Sequence, residues 1–130
     1  MTRTLAQAQR IVPGLLAGLA ACAPAEGAGI RYEGIETRML DDGLAEIRVA
    51  LSGAAEGSAV TAYAGCAAAR LALARGAAYA RPIRMTTQKS FGTWRADAVY
   101  LISRERPVAG NPVPASATAR ACAAKGIPTV

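Results

Sequence analysis

Three thiols and nine carboxylates hold whatever covalent or acid–base chemistry this 130-residue sequence could perform. The sequence contains no His. That removes Ser-His-Asp and Cys-His activation of a nucleophile, imidazole proton transfer and His-ligated metal together. The thiols, Cys22, Cys66 and Cys122, form no Cys-x-x-Cys pair or other metal-ligand spacing. Apart from Glu26, the acids are Glu33, Glu36, Asp41, Asp42, Glu46, Glu56, Asp97 and Glu105. None forms a motif, and Asp41-Asp42-Gly43 reads as a turn. Asp97 falls mid-strand, where a cross-strand Arg such as Arg84 or Arg48 is its ordinary partner. The residue types therefore predict a protein with no catalytic residue, no metal and no cofactor, a non-enzyme. The competing reading is a small carboxylate-dependent periplasmic enzyme or ligand-binding protein built on these acids.

Cys22 sits where a thiol has a specific use. Met1 to Arg10 is polar, with Arg3 and Arg10 and no acid. Ile11 to Ala21 is uncharged but too short to cross a bilayer, which is the proportion of a signal-peptide hydrophobic region. It ends in Leu19-Ala20-Ala21-Cys22, which resembles the bacterial lipobox. That resemblance implies cleavage before Cys22, diacylation of its sulfur and acylation of the new amino terminus. Several chains on one residue give a permanent anchor, where one would be marginal. Pro13, Gly14 and Gly18 argue against the competing reading, a buried N-terminal helix. The sequence thus divides into a cleaved signal peptide (residues 1–21), a lipidated Cys and flexible tether (22–29) and one domain (30–130). Ala23 after the Cys, rather than Asp, favours the outer membrane over the inner, with the domain facing the periplasm.

Cys66 and Cys122 must be placed by the elements that carry them. Ala59 to Arg75 reads as a helix, with Ser58 as N-cap and Gly76 as stop. Val60, Ala64, Ala67, Leu71 and Ala74 form one stripe, flanked by Tyr63; Ala62, Gly65, Cys66, Ala69 and Leu73 lie opposite. A helix apolar nearly all round must be covered on two sides. Ala115 to Lys125 reads as a short helix with a small-residue stripe of Ala115, Ala119, Cys122 and Ala123, the best candidate for the second cover. Two thiols on faces expected to touch, in an oxidising periplasm, predict a Cys66–Cys122 disulfide. Two buried free thiols are the alternative.

Between these helices the sequence reads as strands. Ile30 to Leu40 is extended without clean alternation. Leu44 to Ser52 alternates, with Ala45, Ile47, Val49 and Leu51 opposed to Glu46, Arg48 and Ala50. Tyr79 to Thr87 predicts Tyr79, Arg81, Ile83 and Met85 on one face, with Pro82 marking an edge or irregularity. Gln88 to Thr93 is expected as a loop, and Trp94 to Arg104 as a strand with Trp94, Ala96, Ala98, Tyr100 and Ile102 on one face. Glu105 to Pro114 is an irregular crossover. The fold class is α+β: a small antiparallel sheet of about four strands in ββαββ-α order, packed on one long helix, with a short C-terminal helix.

The run Asp42 to Gly53, with Ser58, Val60, Tyr63, Ala67 to Leu73, Gly76 and Tyr79, resembles a family of small uncharacterised alphaproteobacterial lipoproteins. The resemblance covers Tyr32 to Ser103. The Arg and Glu of the family's helix centre are Ala or shifted here, and Cys66 is not part of its common pattern. The resemblance implies an anchored α+β domain and no enzymatic residue to carry over.

The net charge is +6, from 15 Lys and Arg against 9 Asp and Glu. The excess is spread along the chain, whereas nucleic-acid binders concentrate it on one face or arm. The nearest cluster, Lys89 to Arg95 around Phe91 and Trp94, reads as a solvated loop with one anchoring ring. No nucleic acid and no metal are expected as partners. The membrane, through the lipid anchor, and an envelope protein are. Hydrophobic residues are 52% of the sequence, but 32 of them are Ala, so the core must be built largely from small side chains.

Overall fold

A computed structural model describes residues 29–108, 110 and 112–129. The expected signal segment, Cys22 and the tether through residue 28 lie outside the described residues. The chain forms β1 (Arg31–Asp41), β2 (Leu44–Ser52), α1 (Ser58–Ala74), β3 (Tyr79–Ser90), β4 (Thr93–Ser103), β5 (Val113–Pro114) and α2 (Ala115–Lys125). The sheet order is β1-β2-β4-β3-β5, and every pairing is antiparallel. The class is α+β as the sequence predicts, but the order gains a two-residue fifth strand. Within the expected irregular crossover, Val113 and Pro114 pair with Ala80 and Tyr79, and the Ala115 N–H donates to the Ala78 carbonyl. The pairing delivers α2 to α1 rather than to the sheet, so the sheet rests on one helix and that helix on another.

The interior strands keep their period. Ala45, Ile47, Val49 and Leu51 on β2, and Ala96, Ala98, Tyr100 and Ile102 on β4, are buried under α1. The strands flanking them slip in register, β1 twice and β3 once. In β1 the register shifts between Tyr32 and Gly34, so Tyr32 and Ile35 both reach the helix side although three positions apart. Gly34 takes φ +143°, which glycine tolerates and other residues rarely adopt. In β3 the shift lies between Pro82 and Arg84. It corrects the expected face: Tyr79 and Arg81 pair with Ser103 and Leu101 on the bare side, while Met85 pairs with Ala98 and packs on the core. A proline that cannot donate to the ladder sits beside the extra residue Ile83.

Helix α1 starts one residue earlier than expected, and its N-cap is Gly57, with no side-chain cap bond; Ser58 is not the cap. Both helices stop at a left-handed glycine. At α1 the N–H groups of Gly76 and Ala77 donate to Leu73 and Ala72; at α2 those of Gly126 and Ile127 donate to Ala123 and Cys122. Tyr63, Val60, Ile47 and Leu51 are the largest fully buried side chains, and 11 of the 20 buried hydrophobic residues are Ala. Helix α2 covers the side of α1 with Cys66 and Ala69, whereas Ala62 and Leu73 stay exposed.

Strands β3 and β4 form a hairpin longer than expected. Ser90 pairs with Thr93, so the predicted loop from Gln88 to Thr93 shrinks to a two-residue turn, Phe91-Gly92. Both turn residues have positive φ, +49° and +81°, the arrangement of the tightest hairpins. Asn-Gly is the preferred pair there; a Phe in the left-handed region costs about 1 kcal/mol. Phe91→Asn is therefore expected to raise stability by about 1 kcal/mol in chemical denaturation. An unchanged midpoint would mean that the turn does not hold residue 91 in that conformation.

Candidate functional site

Helix α1 covers one face of the sheet, and the other face carries the polar residues. Register places them in rows across the strands. Arg38, Glu46, Val99 and Arg84 form one row; Glu36, Arg48, Asp97 and Thr86 the next; Gly34, Ala50, Arg95 and Gln88 a third. Arg38 reaches this face only because the Gly34 bulge resets the parity of β1.

The charges interlock. Arg38 Nη2 lies 3.0 Å from Glu46 Oε1, Arg48 Nη2 donates to Glu46 Oε2 at 3.4 Å, and Arg48 Nε is 3.5 Å from Asp97 Oδ2. The side chain of Glu46 is only 12% exposed and uses both oxygens. Of the two Arg partners expected for Asp97, Arg48 is the one that faces it; Arg84 stands opposite Val99. The second oxygen of Asp97, Oδ1, is buried without a hydrogen-bond partner. Beside it is a depression of about 480 Å³ floored by Ala50 and the adjoining backbone and rimmed by Glu33, Glu36, Thr86, Gln88 and Arg95. The small side chain of Ala50 and the side-chain-free Gly34 opposite it leave the space. The depression offers two carboxylates, the Arg95 guanidinium and the amide and hydroxyl of Gln88 and Thr86, which suits polar binding.

The remaining acids are dispersed. Asp41 and Asp42 make the β1–β2 turn, where the Asp42 N–H donates to Asp41 Oδ1 at 2.7 Å. Glu56 precedes α1, and Glu105 follows β4. Glu36 and Asp97 share a row but stand on β1 and β4, with Arg48 of β2 between them, about 10 Å apart at two strand spacings. Among the described residues no group of three His, Cys, Asp or Glu is placed to hold a metal. The ion chain was not visible in the sequence, because the side chosen by Arg38 depends on the bulge. The signal that could have found it is the three-residue step from Tyr32 to Ile35.

Cys66 and Cys122 are joined by a disulfide, Cα to Cα 6.0 Å, which ties the buried side of α1 to α2. Under the sheet, Tyr63 of α1 meets Tyr32 of β1 edge to face, centroids 4.8 Å apart. Burial pushes the Tyr63 phenol above its ordinary 10.0, partly offset by backbone hydrogen bonding at Gly34; burial alone does the same to Tyr100. Folded-state values above the unfolded one give stabilisation that is complete below pH 10 and is lost as pH rises through the folded values. The denaturation midpoint is expected to stay level between about pH 8 and 9.5 and then fall, with tyrosinate absorbance appearing as the fold opens. A midpoint still level at about pH 12 would refute the buried neutral phenols.

Fold and site together define a small α+β domain of sheet, α1 and α2 in succession, braced by one disulfide, with one charged sheet face uncovered among the described residues. The chain belongs to the YNQ4 C-terminal domain family, which matches residues 32–126. It is also 36% identical, over 87 residues, to an uncharacterized 26.9 kDa protein in the nqo8 5' region of Paracoccus denitrificans. The match takes in 67% of this chain and spans about one third (34%) of the length of that relative. No solved structure matches the chain.

Proposed function

We propose that this chain is a bacterial envelope lipoprotein, held in the membrane through acylated Cys22, whose folded domain is an interaction module facing the periplasm. The observation that carries the reading is the allotment of the three cysteines. Two are spent on a disulfide inside the domain, a bond that persists in oxidising compartments. The third closes Leu19-Ala20-Ala21-Cys22 and is followed by the small-residue stretch Ala23 to Gly29. Residues 1–21 are then a cleaved signal peptide, and Ala23 favours the outer membrane over the inner. No helix among the described residues is long and apolar enough to cross a membrane. A lipid anchor supplies attachment without one.

The uncovered sheet face is the interaction surface in this reading. An envelope protein with a basic side chain for Glu36 and polar groups for Thr86 and Gln88 would complement it. Mass spectrometry of the membrane fraction tests the anchor: the mature chain should begin at Cys22 and carry acyl mass. A soluble chain that keeps Met1 ends the proposal.

A further inference from the structure

One end of the sheet collects features that the binding face does not use. Arg31, Ser52, Thr93 and Ser90 form the last row across β1, β2, β4 and β3. Beyond this row lie the Phe91-Gly92 turn, the β2–α1 loop and the point where the chain enters the domain at Gly29 and Ile30. Gly53 of the loop approaches the Gly29 carbonyl so closely that any Cβ would collide with it, which fixes the entry point to this end. Phe91 projects from the turn fully exposed, the largest exposed apolar side chain among the described residues.

The hairpin behind Phe91 is held rigidly. Trp94 Nε1 donates to the Ala54 carbonyl at 3.3 Å, and its ring fills the space beside Gly57. Lys89 Nζ lies over the same ring, 5.4 Å from its centroid. From Pro82 to Ala96 the hairpin carries Arg84, Lys89 and Arg95 and no acid. Lys89, Arg95 and Arg31 outnumber Glu33 and Glu56 at this end, while Arg84 lies further along, in the row of Arg38 and Glu46.

We propose that this end of the sheet docks on the bilayer, with Phe91 inserted among the phospholipid headgroups and Lys89, Arg95 and Arg31 on anionic phosphates. The proposal rests on the anchor reading. Cys22 is seven residues before Gly29, so an acylated Cys22 holds the entry point within about 25 Å of the membrane surface. A tether that short keeps this end near the lipid. An aromatic ring at the headgroup level and flanking cations are the ordinary furniture of such contacts. An exposed Phe kept in an unfavourable turn conformation has a use at an interface that Asn would not have. The uncovered face then stands perpendicular to the membrane, open to the periplasm.

The test uses the full chain, expressed with its own export signal and reconstituted into vesicles of phosphatidylethanolamine and phosphatidylglycerol. A benzophenone amino acid replaces Phe91 in one sample and Leu40, exposed at the opposite end, in another. Photolysis should give lipid adducts at position 91 about tenfold over those at position 40. Equal yields at the two positions, or adducts at 91 to protein instead of lipid, overturn the docking. The mass of the same samples reports Cys22 separately. An acylated chain without adducts at 91 sinks the docking and leaves the anchor standing; an unacylated chain sinks the anchor and the docking with it.

Discussion

Reduction of the Cys66–Cys122 disulfide is expected to remove about 4 kcal/mol of stability. The bond closes a loop with a sequence separation of 56, and the chain-entropy account scales with the logarithm of that length. For a domain of this size the loss lowers the melting temperature by roughly 20 °C. The effect should be near the top of its range here, because little else holds α2. Its buried residues are Ala115 and Cys122, and it packs on α1 through small side chains. Cys122→Ala and Cys66→Ala should each reproduce the effect of reduction, and the double variant should add nothing. Urea denaturation with and without a thiol reductant reads it. Alkylation of both cysteines in the untreated native protein would show that the bond does not form.

Tyr63→Ala should be the most damaging single truncation in the hydrophobic core, about 4 kcal/mol by the range for buried aromatics. Tyr63 is 1% exposed and the largest fully buried side chain. Its ring is the principal aromatic contact between α1 and β1, through Tyr32. Tyr63→Phe separates ring from hydroxyl. It keeps the ring and should lose no more than about 1 kcal/mol, the worth of one hydrogen bond. Since β1 is an edge strand that touches α1 only lightly, hydrogen exchange should rise first along Arg31–Asp41 in Tyr63→Ala. Uniform loss of protection over all strands would mean that Tyr63 supports the whole sheet rather than β1.

How much could be read beforehand follows from where the period of two survives. β2 and β4 lie inside the sheet, each paired on both sides without a bulge between them, and their alternation named the buried face residue by residue. β1 contains two register shifts and β3 one, so a strict alternation assigns part of each strand to the wrong side. Tyr32 and Ile35 declare this slip by their spacing, but Pro82 gives only a hint, since an irregular strand and an edge strand carry the same mark. The facing of α1 and α2 was legible because two apolar stripes need two covers. The site was less so. Glu46, Arg48 and Asp97 were placed on the bare face, yet the chain of ion pairs required Arg38, whose side only the bulge decides. Phe91 was seen as part of a basic aromatic run, but its exposure follows from a turn length that Lys, Ser and Thr do not encode.

The alanine core has an evolutionary consequence. In a core of Leu and Phe most random substitutions subtract atoms and leave a hole. Where Ala fills 11 of 20 buried positions, only Gly is smaller, so nearly every replacement at those positions adds atoms to a space already closed. Sequence drift in this domain is therefore bounded by crowding rather than by cavities. In divergent members of such a lineage those 11 positions should stay confined to Ala, Gly, Ser and Cys.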